Sequence, residues 1–147
     1  MIEISLIMPQ NVTALWPSIE KYMEGAAEYT YGRYQASDIL ASITDYGHHL
    51  WVAFGDDEIK GAVITTYTHY PRAKYLSMTF CGGIELDTWK DAMLKILQSW
   101  AFDSQCDGIE ATARPGWTKV FKADGHKPLW NTFELPAATA GLGAHHG

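Results

Sequence analysis

Two kinds of side chain in this sequence have the chemistry for nucleophilic attack or for metal binding. Cys81 precedes a predicted helix, and a thiolate close to a helix N-terminus is an activated nucleophile. No histidine or acid is evidently paired with Cys81, so a buried strand cysteine is the favoured interpretation. The pairs His48-His49 and His145-His146 consist of metal-ligand residues. Because adjacent side chains of a strand face opposite ways, we expect no metal site.

The segment 81–88 joins a predicted strand to the clearest predicted helix. Gly82 and Gly83 have no side chains and so permit another group to approach the backbone closely. Glu85 and Asp87 bring negative charge to the same place, where a carboxylate already uses the helix dipole. An anion ~5 Å from one of these carboxylates would be repelled by roughly 3 kcal/mol at an effective dielectric of ~20. The alternative for this segment is a simple turn, with Asp87 as the N-cap of the helix.

The composition excludes several classes of protein. The chain has 147 residues, of which 47% are hydrophobic, which suits one domain with a real core. It carries 11 Lys and Arg against 17 Asp and Glu and has no basic run, so we expect no nucleic-acid partner. No apolar stretch approaches the ~20 residues that span a bilayer, so we expect no membrane association. Two cysteines make no disulfide framework, which favours the cytoplasm.

The balance of charged and aromatic residues favours a contact surface. Charged residues make up only 19% of the chain, below the ~25% of typical domains, and aromatic residues make up 13%. Interface cores have this character. We predict the surface at Tyr29, Tyr31 and Tyr34, with Arg33 as an anchor and another protein or a second copy as the partner. The alternative is that these tyrosines merely cap a sheet.

Hydrophobic periodicity predicts the element order β-α-α-β-β-β-α-β-α-β. The predicted strands are 2–6, 50–54, 59–70, 75–80, 108–113 and 129–135. The predicted helices begin near residues 13, 37, 87 and 117. Pro17 delays or kinks the first helix, because an interior proline removes a hydrogen bond. The segment 25–34 has poor periodicity and is expected to be a loop, and CGG at 81–83 is expected to break the fourth strand.

The strand–helix–strand step around helix 87–103 implies a right-handed parallel crossover. The three preceding strands are linked by hairpins and are therefore antiparallel. We expect a mixed α/β sheet with helices on both faces, in one domain at 1–135 with a flexible tail at 136–147. Trp89, Met93, Ile96 and Trp100 should form the stripe of this helix that is buried against the sheet.

The order and spacing of these elements resemble the GNAT superfamily of N-acetyltransferases over residues 1–135. Two local patterns carry the resemblance: a strand–Gly–long helix unit at 75–105 and a strand–turn–helix–Gly unit at 109–125. The CGG at 81–83 and the RPGW at 114–117 also resemble small GNAT-like proteins of bacteriophages and prophages. The resemblance implies that the fourth and fifth strands splay apart to admit the pantetheine arm of acetyl-CoA.

The implied cofactor site has two parts. The pantetheine arm would lie in a groove beside Met78, Thr79 and Phe80. The pyrophosphate would lie on Gly82 and Gly83, where the family has a glycine-rich loop with an arginine. Here the two glycines come early and the arginine is absent. The phosphate end of the site is therefore expected to be poor.

The family's proton-transfer groups are only partly present. Its tyrosine after the fifth strand protonates the departing thiolate, but Phe121 occupies that position and has no proton to give. His126 replaces the family's phenylalanine and is an alternative proton donor. A general base would take a proton from the amine, and Glu110 and Glu28 are the candidates. The resemblance also implies an acceptor site at 29–34.

These departures favour an acetyltransferase-like protein that has lost or weakened its chemistry. We interpret it as a binding or accessory protein of phage type, in the host cytoplasm or the virion, which binds acetyl-CoA more weakly than ~100 μM. The alternative is an active N-acetyltransferase with an atypical cofactor loop, which moves an acetyl group from acetyl-CoA to an amine.

Overall fold

The computed structural model describes residues 1–112 and 125–137. The chain forms two compact units, Met1–Thr112 and Ala113–Gly147. The predicted helix at 117–123, with Phe121, and most of the predicted tail lie outside the described residues. The predicted division at residue 135 stays a prediction.

The first unit contains all the helices and strands of the described residues. They are, in chain order, β1 (Glu3–Leu6), a 3-10 turn (Pro9–Asn11), α1 (Val12–Glu28), α2 (Ala36–Thr44), β2 (His49–Gly55), β3 (Glu58–Tyr70), β4 (Ala73–Gly83), α3 (Leu86–Asp103) and β5 (Gly108–Ala111). This is the predicted mixed α/β class, with a five-stranded sheet.

The sheet has the strand order β1-β2-β3-β4-β5. The first four strands pair antiparallel, and β5 pairs parallel to β4. The parallel ladder runs from Tyr75 opposite Gly108 to Met78 opposite Ala111. The predicted parallel pairing of the two strands that α3 connects is therefore confirmed.

Helix α1 is longer than the sequence pattern indicated. It continues past Gly25 to Glu28, so the prediction of a loop over 25–34 was wrong in its first part. The reason is that the buried face of α1, which includes Ile19, Met23 and Ala27, keeps its four-residue spacing through this stretch. Pro17 lies inside the helix and does not end it.

Helix α3 buries a different stripe from the predicted one. Trp89 and Met93 are buried as expected and Trp100 is half-buried, but Leu97 and Ala101 complete the stripe, and Ile96 is 37% exposed. A spacing of four residues at every step replaces the expected mixture of three and four. The N-cap is Glu85 rather than Asp87, and its backbone is left-handed, with φ of 51°.

Strand β4 does not break at the glycines, which corrects a third prediction. It continues to Gly83, with Cys81 opposite Val63 and Gly82 opposite Ala62. The small residues of β3 allow the close pairing. At the other end of the chain, the predicted strand 129–135 has no strand structure. Its apolar side chains are exposed, including Phe133 at 84%.

Candidate functional site

A β-bulge at Thr79 and the end of the β4–β5 ladder lie at the same point of the sheet. The register of β4 against β3 shifts between Met78, opposite Thr65, and Phe80, opposite Ile64. Past Met78, β4 continues for five residues without a β5 partner in the part of the chain that the structure describes. We call this stretch of β4 the β4–β5 opening. The predicted groove beside Met78, Thr79 and Phe80 would lie along it.

The bulge also decides which side chains share a face. Ser77 pairs with Thr66 and Phe80 pairs with Ile64, and these two partners lie on one face of β3. Ser77 and Phe80 therefore lie on the same face, although residues three apart on a regular strand would face opposite ways. Phe80 packs against the core beneath α1 and α2, which assigns this face of the sheet to those helices.

Tyr34 connects the tyrosine segment to this face. The Tyr34 ring makes an edge-to-face contact with the Phe80 ring, with centroids 5.2 Å apart. Tyr29 and Tyr31 are 54% and 81% exposed. The backbone of Tyr31 is left-handed, with φ of 56°, which is uncommon for a residue with a large side chain. The structure thus joins Tyr34 to the predicted groove and leaves Tyr29 and Tyr31 at the surface.

Glu110 is the anchor of a polar cluster on the same face. It lies on β5 opposite Ser77, and its Oε1 accepts hydrogen bonds from the Tyr70 hydroxyl at 2.6 Å and the Ser77 hydroxyl at 3.0 Å. The Ser77 hydroxyl also lies 2.6 Å from that of Thr68. Glu110 Oε2 makes no hydrogen bond within residues 1–112 and 125–137. Two hydroxyls hold Oε1, and within the described part of the chain Oε2 remains available to a proton or a donor.

Tyr70 and Ser77 are members of this cluster that sequence reasoning missed. Tyr70 ends β3, 40 residues before Glu110, so only the strand order brings them together. The hydrogen bond to Glu110 raises the pKa of Tyr70, with burial and the charge of Glu110 acting in the same direction. The other candidate base, Glu28, lies at the exposed end of α1.

The end of β4 and the turn into α3, residues 82–85, pack against the protein's own backbone. We call this segment the loop between β4 and α3. A Cβ atom on Gly82 would overlap the carbonyl oxygen of Tyr22 in α1, and one on Gly83 would overlap the carbonyl oxygen of Lys60 in β3. The Ile84 amide donates to the same Lys60 oxygen at 2.7 Å. Both glycines therefore serve contacts inside the protein, which is a structural reason for them that needs no phosphate.

The negative charge of this loop is already paired. Glu85 accepts from the Lys60 Nζ at 2.7 Å, and Glu58 accepts from the same nitrogen at 2.8 Å. Asp56 lies 3.6 Å from it. The Lys60 side chain is only 5% exposed, and its hydrogen bonds, first to Glu58 and then to Glu85, raise its pKa. Lys60 is a residue that the sequence analysis did not single out.

The cysteine and histidine candidates that the structure describes lie in packed or hydrogen-bonded positions. Burial raises the pKa of Cys81 to about 12, which keeps it a thiol rather than a thiolate. His49 bonds to Thr65 inside the sheet. Residues 1–112 and 125–137 contain no group of three or more histidine, cysteine or acidic side chains placed to hold a metal ion. None of their helices is long and apolar enough to cross a membrane.

Comparison with known proteins rests on structure alone, because no family model and no curated protein matches the sequence. A ribosomal-protein-alanine N-acetyltransferase from Brucella melitensis biovar Abortus 2308 is similar with a TM-score of 0.67 at 12% identity, covering 94% of this chain and 100% of that one. An aminoglycoside N-acetyltransferase in complex with CoA is similar with a TM-score of 0.65 at 13% identity, covering 95% of this chain and 96% of that one.

A third solved structure points to the same fold. It is a predicted acetyltransferase with acetyl-CoA from Clostridium acetobutylicum, with a TM-score of 0.65 at 13% identity over 99% of this chain and 100% of that one. Identities this low establish the fold and not the activity. The chain therefore has the mixed α/β fold of the GNAT acetyltransferases.

Proposed function

We propose that this chain is a binding protein built on an acetyltransferase fold, with a weakened hold on acetyl-CoA. The observation that carries the proposal is the closed loop between β4 and α3. Gly82 and Gly83 pack on the backbones of Tyr22 and Lys60, and the Glu85 carboxylate is bound to Lys60. A pyrophosphate would have to displace these contacts to reach the start of α3.

The two parts of acetyl-CoA differ in how well they fit. The stretch of β4 past Met78, which has no β5 partner among the described residues, is where the resemblance puts the pantetheine arm. The loop between β4 and α3 does not suit a pyrophosphate. Its glycines already pack on backbone atoms, and Lys60, the buried cation beside it, is bound to carboxylates. The obstacle is thus occupied space and committed charge, rather than the bare repulsion by Glu85 that the sequence predicted.

Calorimetry with two thioesters tests this reading. We expect acetyl-CoA to bind more weakly than ~100 μM, about −5.5 kcal/mol. S-acetylpantetheine, which lacks the nucleotide and its phosphates, should bind with the same affinity within a factor of about three, because the phosphate end adds little. Micromolar binding of acetyl-CoA, together with a tenfold or larger preference over S-acetylpantetheine, would overturn the proposal.

The proposed binding surface is the segment that contains Tyr29, Tyr31, Arg33 and Tyr34. Exposed aromatic rings beside an arginine are typical of interface centres. Its partner is another protein or a second copy of the chain. The likeness of CGG at 81–83 and RPGW at 114–117 to phage proteins extends the proposal to an accessory role in a phage or prophage.

A double substitution tests the surface. Tyr31→Ala with Arg33→Ala should leave the melting temperature within a few degrees of the parent and abolish self-association, measured by analytical ultracentrifugation, or partner capture. Tyr46→Ala is the matched control, since Tyr46 is 77% exposed and lies outside the segment. Unfolding of the double variant would make the segment structural. Unchanged association would place the contact elsewhere.

A second candidate function is an active N-acetyltransferase, and the free Oε2 of Glu110 favours it. This oxygen lies on the face that also carries Tyr34 and Phe80, and it would accept the proton of an amine. Release of free thiol from acetyl-CoA in the presence of a panel of primary amines tests it. Activity that Glu110→Gln reduces at least tenfold would support this candidate, and no release above the protein-free rate would eliminate it.

A further inference from the structure

A hydrogen-bonded cluster lies on the other face of the sheet, beneath the C-terminal end of α3. At its centre is the Thr65 hydroxyl, in a side chain with no exposed area. The Trp51 indole N–H donates to Thr65 Oγ1 at 2.9 Å, and His49 Nδ1 lies 2.8 Å from the same oxygen. The candidate site described above uses none of these groups.

The hydrogen bonds of Thr65 link its hydroxyl to the protonation of His49. An indole nitrogen only donates, so Trp51 uses one lone pair of Thr65 Oγ1. If His49 Nδ1 carries no proton, the Thr65 hydroxyl donates to it, and both of these groups have a partner. If His49 is an imidazolium, Nδ1 must donate to Thr65. The buried hydroxyl hydrogen of Thr65 then has no acceptor among the described residues.

The same cluster holds the end of α3. The Trp100 ring packs edge-to-face on the rings of His49 and Trp51, with centroids 5.8 and 5.2 Å apart. The Trp100 indole donates to the Tyr67 hydroxyl at 2.9 Å, and that hydroxyl lies 2.8 Å from the Ser104 hydroxyl. Any movement of the His49 ring therefore acts directly on the contact between α3 and the sheet.

We propose that His49 and Thr65 form an acid-sensitive latch, which docks the C-terminal end of α3 while His49 is neutral and loosens it when His49 is protonated. Because α3 connects β4 to β5, the latch would couple acidity to the segment that spans the β4–β5 opening. The occupant of the opening does not enter the argument.

Burial and one neighbouring charge act against the protonation of His49. The neighbour just before β2 is His48, the neighbour from β3 is Tyr67, and the Lys74 ammonium of β4 lies 4.5 Å from the centre of the Tyr67 ring. Helix α3 contributes Trp100, which is uncharged. Burial and then the charge of His48 lower the pKa of His49 below its ordinary 6.5. The latch is therefore closed at neutral pH.

A titration of the histidine rings by NMR on the unmodified protein tests the latch. We expect neutral His49 to carry its proton on Nε2, with Nδ1 unprotonated, and to titrate below pH 6.5. The Trp100 indole N–H resonance should shift with the same midpoint. A neutral ring protonated on Nδ1, a titration at or above 6.5, or a Trp100 signal that does not follow His49 would each overturn the proposal.

A pair of variants gives a second test. Because the folded pKa of His49 is lowered, stability is lost as pH falls below the unfolded value of 6.5 towards the folded value. His49→Gln should therefore show a smaller fall in melting temperature between pH 7.5 and 5.5 than the parent. His69→Gln, on an exposed residue of β3, should keep the parental fall. Equal falls in the parent and both variants would contradict the latch, and if His49→Gln does not fold, the NMR result alone decides.

Discussion

The two ends of the β4–β5 opening differ in how their polar groups are used. At the C-terminal end of β4, Gly82 and Gly83 pack on backbone atoms, and Glu85 is held by Lys60. Near the middle of β4, Ser77 and Tyr70 hold one oxygen of Glu110 and leave the other without a hydrogen bond in the described residues. At one end the polar groups are bound within the protein, whereas at the other Glu110 Oε2 has no donor in the described residues.

The two ends are therefore built from different kinds of contact. The closed end depends on backbone packing, which a side-chain substitution on the free end would not disturb. The free end depends on a carboxylate and two hydroxyls, which can be altered without affecting the loop. Separate experiments can therefore test the contacts at each end.

The largest effect is expected from Gly82→Ala. Its Cβ would overlap the Tyr22 carbonyl oxygen, a backbone atom that cannot move alone, so we expect a loss of about 3 kcal/mol in the free energy of unfolding. Gly25→Ala is the matched control, because no atom lies within 4 Å of its Cβ position. In the helix interior of α1 it should stabilise the protein by about 0.5–1 kcal/mol.

Urea denaturation of the parent and the two variants measures both values. A Gly82→Ala variant as stable as the parent would show that α1 does not close the loop. In that case the explanation of Gly82 by internal packing would be wrong.

A smaller effect is expected at the Lys60 network. Lys60→Met leaves Glu58 and Glu85 without their cation, but these carboxylates are about half exposed and stay hydrated. We expect a lower melting temperature, with a smaller loss than for Gly82→Ala. A double-mutant cycle with Glu85→Gln should give a favourable coupling between the two residues.

The pH dependence of the same pair has a definite sign. Because the pKa of folded Lys60 is raised above 10.5, its stabilisation is complete below pH 10.5 and is lost as pH rises through the folded value. The melting temperature of Lys60→Met should therefore approach that of the parent at strongly alkaline pH. A gap between the two that is constant from pH 7 to strongly alkaline pH would contradict the ion pair.

The smallest effect on stability, and the sharpest on the free end, is expected from Glu110→Gln. The hydrogen bond to the Glu110 carboxylate is the main cause that raises the pKa of Tyr70 above 10.0. An amide in its place should lower that pKa towards 10.0, as measured by NMR on tyrosine-labelled protein. Tyr70→Phe is the control, because the loss of its signal identifies the Tyr70 resonance. An unchanged titration of Tyr70 would show that the Tyr70–Glu110 bond does not form in solution.

The sequence by itself determined the order of the elements in the first unit and the parallel crossover. Long apolar and β-branched runs specify β2, β3 and β4, and a helical period specifies α3, so the connection to β5 had one favoured hand. Through the resemblance it also named Glu110 and the groove residues as candidates, and their roles stay predictions. These features are local in the chain, which is why periodicity can report them.

Only the tertiary structure decided what the residues do together. The bulge at Thr79 puts Phe80 on the face of Ser77, and no local pattern encodes a register shift. The pairing of Glu85 with Lys60 joins residues 25 positions apart, and that of Tyr70 with Glu110 joins residues 40 apart. The role of a carboxylate, whether it repels a ligand, binds a cation or accepts a proton, depends on such distant partners. The order of the strands determines which partners it meets.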